Sequence, residues 1–163
     1  MRFRKVAVGG TFDYLHDGHV AILKKSFEVG EHVLIGIVSD RMKLAKDSAG
    51  IQPLKVRKQG LFRLLRSRNW IERAEVRVIS DPYGPTAEDE QLEAIVVSQE
   101  TKPRAEEINK IRARRGLKPL EIIEIPLVLA EDGTPISSIR IRYGEMDTHG
   151  KLKKPRENGS DLV

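Results

Sequence analysis

The residues of this chain most able to do chemistry stand in one run near the start: Gly9-Gly10-Thr11-Phe12-Asp13-Tyr14-Leu15-His16-Asp17-Gly18-His19. Glycines after an apolar strand let backbone N–H groups come close to a phosphate. A helix that starts just beyond adds the positive end of its dipole. His16 and His19 are separated by Asp17 and Gly18, so two imidazoles can address one anion from the first helical turn. Each can donate a hydrogen bond to a phosphoryl oxygen. His19 stands where the helix is predicted to begin and is the better placed, and Thr11 adds a hydroxyl. The spacing is not the i, i+4 of helical zinc pairs. His32 and His149 are the only other imidazoles, and no protein-held metal is expected. The chain has no cysteine, which excludes thiol catalysis, disulfides and cysteine-based zinc sites.

The elements that must position these groups follow from hydrophobic patterning. Phe3–Val8, His32–Val38, Glu75–Ile79, Ala94–Val97 and Leu120–Ile125 read as strands. Between them lie helical patterns. His19–Val29 carries Val20, Ile22, Leu23 and Phe27 on one side, and Gly30 stops it. Lys55–Arg68 carries Leu61, Phe62, Leu64 and Leu65. Pro103–Arg115 has Pro103 near its start and Gly116 just past its end. Ser137–Tyr143 begins a last helix. Strands separated by helices imply right-handed crossovers. The predicted fold is therefore α/β, a Rossmann-like parallel five-stranded sheet with helices on both faces. Ligands bind such sheets outside the carboxyl ends of the strands, near the topological switch point. A chain of 163 residues suits one domain, expected over residues 1–150. Residues 151–163 are polar, hold Pro155 and Gly159, and read as a loose tail.

The charge balance is 29 Lys+Arg against 24 Asp+Glu, a net +5. A mixed surface with a modest positive excess suits an anionic partner. A nucleic-acid-binding module is the competing class. Basic residues crowd Lys55 to Arg73, and Arg112, Arg114 and Arg115 end another helix. There is no interleaved aromatic platform, however: Phe62 sits in an apolar stripe and Trp70 stands alone. Glu72, Glu75, Glu106 and Glu107 dilute the charge, so no nucleic-acid partner is expected. No apolar run nears the roughly 18 residues that span a bilayer. Gly9-Gly10 breaks the first apolar stretch, so no signal peptide is read. No membrane partner and a cytoplasmic location are expected.

Gly10 to His19, G-T-F-D-x-L-H-x-G-H, resembles the hallmark of the nucleotidyltransferase superfamily of adenylyl- and cytidylyltransferases. Ile136-Ser137-Ser138-Ile139-Arg140-Ile141-Arg142 resembles its second hallmark, I-S-S-T-x-I-R. Hydroxyls and N–H groups at a helix start, followed by a cation, suit β- and γ-phosphates. Asp81–Thr86, Ala94–Thr101, Ile108–Arg112 and Gly116–Leu120 are similar to the archaeal and eukaryotic type of phosphopantetheine adenylyltransferase. The cytidylyltransferase branch carries R-T-x-G-I-S-T-T at the second hallmark. Here Asp132-Gly133-Thr134-Pro135-Ile136 leads into it, without the Arg-Thr pair.

The resemblance implies adenylyl transfer from ATP to 4′-phosphopantetheine, giving dephospho-coenzyme A and pyrophosphate. The substrate phosphate would attack in line, without a covalent intermediate. Flavin mononucleotide, nicotinamide mononucleotide or glycerol phosphate are alternative acceptors. His19 and Thr11 would stabilise charge on the α-phosphate, and His16 would orient the triphosphate, with Gly10 and Gly18 beside it. Ser137, Ser138 and Arg142 would hold the leaving pyrophosphate. The family keeps a phosphate-binding lysine after the second strand, for which Lys46 is the first choice and Lys43 the second. Thr11, Phe12 and Asp13 would border the acceptor, and Asp13 would organise either its loop or the metal-bound nucleotide. Arg57 would serve a phosphate or carry only surface charge. Mg²⁺ would arrive with ATP, held by phosphates and water. Ile139 replaces the third hydroxyl of the motif and is expected to turn inward, with Ile136 and Ile141 flanking it.

Overall fold

Runs of β-branched residues form the predicted strands in the computed structural model, which describes residues 2–43 and 50–153. They are β1 (Phe3–Gly10), β2 (Gly30–Val38), β3 (Ala74–Ile79), β4 (Ala94–Val97) and β5 (Glu121–Glu124). The helices are α1 (Asp17–Val29), α2 (Asp40–Lys43), α3 (Leu54–Ser67), α4 (Lys102–Arg114) and α5 (Ser138–Arg142). Every ladder is parallel, and the strand order is β3-β2-β1-β4-β5. The Rossmann-like α/β architecture is the one predicted. The order reverses between β1 and β4, so the loop before α1 and the loop before α4 meet at the switch point.

Alternation along the strands divides the core in two. Val6, Val8, Val33, Ile35, Ile37 and Val96 face one way and pack with Leu23, Phe27, Leu61 and Leu65 of α1 and α3. Ala7, Leu34, Ile95 and Val97 face the other way and pack with Ala105 and Ile108 of α4. A third, small cluster of Ala130, Ile136 and Met146 supports the segment before α5. The first residues of the expected tail are tied to the body: Leu152 N donates to a Glu131 carboxylate oxygen at 2.9 Å. No helix of the described residues is long and apolar enough to cross a membrane.

Two arginines are core members. Arg57 is 1% exposed. Its Nη1 donates to Thr11 O at 2.8 Å and Val38 O at 2.7 Å, and its Nε to Gln52 O at 2.8 Å. Nη2 reaches Asp40 Oδ1 at 3.2 Å. One side chain of α3 thereby gathers the carboxyl ends of β1 and β2. Arg112 of α4, also 1% exposed, braces the other face, between the segment that follows β3 and the approach to β5. It donates to Lys118 O, Thr86 O and Asp89 O at 2.8–2.9 Å. The surface or phosphate role expected for Arg57 is corrected, because its donors are spent on buried carbonyls. Both arginines also leave the surface charge on which a nucleic-acid reading rests.

Removing the Arg57 guanidinium strands several buried acceptors, each worth about 1–3 kcal/mol. Arg57→Leu is expected to lower unfolding free energy by about 3 kcal/mol in urea denaturation. Unchanged stability would show that water replaces these bonds without cost.

Candidate active site

His16 is the N-cap of α1, in extended backbone, and this is why the helix starts at Asp17 rather than at His19 as predicted. Its Nδ1 accepts from Gly18 N at 3.0 Å. His19 Nδ1 accepts in turn from His16 N at 3.1 Å. The pair forms a capping box in which imidazoles replace the usual hydroxyl and carboxylate. A nitrogen that accepts carries no proton, so in both neutral rings the proton sits on Nε2. The rings stack with centroids 3.9 Å apart, and Phe12 lies 5.5 Å from the His19 ring. Burial lowers the His16 pKa to about 4 and, with the neighbouring His16 charge second, the His19 pKa to about 3. Gly18 is required here, because a Cβ would lie 2.8 Å from His16 Cε1.

The loop between β1 and α1 is held in unusual backbone. Phe12 and Tyr14 adopt positive φ, 54° and 46°. Phe12 is buried in the core and lines the cavity from beneath. Asp13 is buried too: its Oδ1 accepts from Gln52 N at 3.0 Å and its backbone O accepts from Ser138 Oγ at 2.6 Å. The second motif is thereby bonded directly to the first. Arg142 Nη1 lies 3.9 Å from Asp13 Oδ2. Its Nε and Nη2 are buried and, among the described residues, have no hydrogen-bond partner. Buried guanidinium donors without acceptors are costly, and the cost is relieved by an anion.

These groups line one cavity of about 510 Å³ at the carboxyl ends of the strands. It brings together Gly10, Thr11, Phe12, Asp13, His16, Gly18, His19, Ser137, Ser138 and Arg142. Arg57 is not part of its lining. Lys46 lies outside the described residues, and Lys43 is placed by its backbone alone, at the end of α2. Ser137 caps α5 by accepting from Arg140 N at 3.3 Å and keeps its own proton to donate. The Ser138 proton is committed to Asp13 O.

Ile139 corrects an expectation. It is 47% exposed, lines the cavity, and stays outside the apolar cluster that Ile136 and Ile141 join. The short α5 turns positions 137 and 138 toward the first loop, which leaves 139 at the cavity mouth. Tyr83 and Arg104 also line the cavity, from the segments after β3 and β4. Sequence reading assigned them no role; the one available signal was their place just past strand ends.

The chain matches the cytidylyltransferase-like family over residues 7–144. It is 50% identical over 155 residues to the phosphopantetheine adenylyltransferase of Methanothermobacter thermautotrophicus, which covers 94% of this chain and 92% of that one. It is 48% identical over 153 residues to the protein of the same name from Methanosarcina mazei, across 92% and 97% of the two chains. A solved structure of a protein with unknown function from Archaeoglobus fulgidus, 34% identical, superposes with a TM-score of 0.67 over 74% of this chain and 88% of that one.

Two expectations follow from the geometry. In a proton NMR titration, the His16 and His19 rings stay neutral from pH 8 down to 5. The unfolded chain protonates both below about 6.5. Stability therefore falls as pH drops from there toward about 4 for His16 and about 3 for His19, by up to ~1.4 kcal/mol per pH unit per ring. A ring titrating near 6.5 would contradict the capping arrangement. Ile139→Thr, at a half-exposed position, is expected to leave the melting temperature unchanged; a drop of several degrees would restore the inward placement.

Proposed function

The chain belongs to the cytidylyltransferase-like family and, within it, to the phosphopantetheine adenylyltransferases, and on that premise we propose that it joins ATP and 4′-phosphopantetheine into dephospho-coenzyme A and pyrophosphate. The observation that carries the reading is the buried Arg142 guanidinium, with two donors that lack partners among the described residues, lining the same cavity as two neutral imidazoles.

The acceptor phosphate is itself a nucleophile near neutral pH, so the site needs no general base. An acceptor oxygen bonds to the α-phosphorus as the bond to the β-phosphate oxygen breaks, and pyrophosphate leaves with that electron pair. Negative charge spreads onto the α-phosphoryl oxygens and the leaving group. Neutral imidazoles fixed through Nδ1 present Nε2–H groups to that charge without reorienting, which is how preorganised donors lower a barrier. His19 and Thr11 serve the α-phosphoryl group, and His16 holds the triphosphate. Arg142 and the Ser137 hydroxyl hold the pyrophosphate. Ser138 acts as a tie between the two loops. The phosphate-binding lysine that the family keeps after β2, for which Lys46 is the first candidate and Lys43 the second, would offset the charge of two anions brought together; Lys46 lies outside the described residues.

Mg²⁺ is the counter-ion of ATP in this reading. Among the described residues no three His, Asp or Glu side chains cluster as a metal-holding set, and Asp13 Oδ1 is spent on Gln52 N. Bound with ATP, the ion would be held mainly by phosphate oxygens and water and would supply charge neutralisation on the triphosphate.

A pyrophosphate-release assay tests the reading. ATP with 4′-phosphopantetheine is expected to outpace ATP with flavin mononucleotide, nicotinamide mononucleotide or glycerol phosphate. Robust turnover of CTP with glycerol phosphate, and none with the proposed pair, would overturn the substrate assignment. His19→Ala is expected to lower kcat by about 10²–10³ while ATP still binds. Arg142→Met is expected to abolish most of the rise in melting temperature that ATP gives the wild type. Near-normal turnover in the first variant, or an undiminished ATP shift in the second, removes that residue from the mechanism.

A further inference from the structure

The phosphate-facing groups lie on two segments far apart in the chain, the start of α1 and the stretch Ser137–Arg142. A third segment touches the first of these and the approach to the second. Residues 147–150 form a tight turn in which Gly150 N donates to Asp147 O at 3.0 Å. Asp147 Oδ1 braces it by accepting from His149 N and Lys151 N, each at 2.9 Å. Gly150 has φ +80°, and a Cβ there would lie 2.8 Å from Ala130 Cα and 2.9 Å from Ile136 Cγ1. Gly150 O also accepts from Glu131 N at 2.8 Å. The turn is thus pressed against the strand-like segment that leads into Ser137.

Its other side holds the catalytic helix. Thr148 O accepts from Asp17 N at 3.0 Å, which satisfies a first-turn N–H of α1 that the helix itself leaves open. His149 Nδ1 lies 2.8 Å from Asp17 Oδ1. Asp17 is the residue between His16 and Gly18, so both contacts act on the turn that fixes the two imidazoles. We propose that the 147–150 turn is a positioning bracket for the reaction, holding the His16–His19 turn at a set distance from the Ser137–Arg142 segment through Thr148 and the Asp17–His149 pair. The inference rests on the phosphoryl-transfer reading of the cavity. Donors that matter in the transition state lose most of their value when displaced by an ångström. Loosening the bracket therefore acts on kcat more than on ATP binding.

The hydrogen bond that His149 donates to the Asp17 carboxylate, and then the charge of that carboxylate, raise the His149 pKa above its ordinary 6.5. The charged groups facing this ring are Asp17 on α1 and Asp147 on its own turn. Lys151 lies behind Asp147, Glu131 is spent on Leu152 N, and His16, beside Asp17, is neutral. The ion pair is complete below pH 6.5 and is lost as pH rises through the raised pKa.

The test compares wild type, His149→Ala, Asp17→Asn, the double variant and His149→Lys, with ATP and 4′-phosphopantetheine between pH 6 and 9. His149→Ala is expected to lower kcat about fivefold, the scale of one exposed charge pair, with the KM for ATP and the melting temperature nearly unchanged. The double variant is expected to be no slower than the slower single variant. His149→Lys is expected to restore kcat and to remove the decline above the His149 pKa. Wild-type kcat in His149→Ala, additive losses in the double variant, or a loss that merely tracks melting temperature would overturn the bracket. A wild-type chain that turns over no acceptor would instead remove the reading beneath it.

Discussion

Everything at the carboxyl end of this sheet depends on how two histidines begin a helix. His16 and His19 each give Nδ1 to a backbone N–H, and each keeps a proton on Nε2. Burial, and for His19 the neighbouring His16, hold them neutral well below pH 6. Two neutral rings 3.9 Å apart can share one anion without repelling each other. Two imidazolium ions could not. The motif therefore supplies directed hydrogen bonds rather than net charge. Arg142, far from the histidines in sequence, adds a buried guanidinium to the same cavity.

That division explains the supporting structure. Among the described residues Arg142 keeps Nε and Nη2 without partners, while two other arginines do the bracing. Arg57 ties β1, β2 and the start of α3 through carbonyls, and Arg112 ties α4 to the segments after β3 and α4. Ser138 and Asp13 then bond the two motifs to each other. The positive φ values at Phe12 and Tyr14 store strain where the first loop must place Asp13 inward and Thr11 at the cavity. Such backbone persists only because Phe12 is buried beneath it and Asp13 is bonded on both sides.

Two of the arginines that make the chain look suited to nucleic acid are interior. Composition counts their charge, but only burial says which charges a partner can reach. Ile139 is the reverse case. A branched apolar residue in a helix looks like core, yet a five-residue helix has too few turns to present a full buried face. Its outward position follows from what Ser138 and Arg142 require.

The sequence alone determined the strand order along the chain, the main helices, the parallel sheet and the switch-point loop, because these follow from periodicity and local turn chemistry. Gly18 and the two histidines were legible for the same reason: they act within four residues of each other. The short α2 (Asp40–Lys43) was missed, since four residues carry no period, and the segment at 136–142 was marked by family resemblance. Tertiary structure decided the rest. Arg57 became a brace because its partners come from residues up to 46 positions away. Ser138 became a tie because Asp13, 125 residues earlier, offers it a carbonyl. Arg142 has donors left for an anion because no described acceptor is packed against them. A residue type announces what bonds it can make, but only the packed chain decides which of them the protein itself uses up and which remain for a substrate.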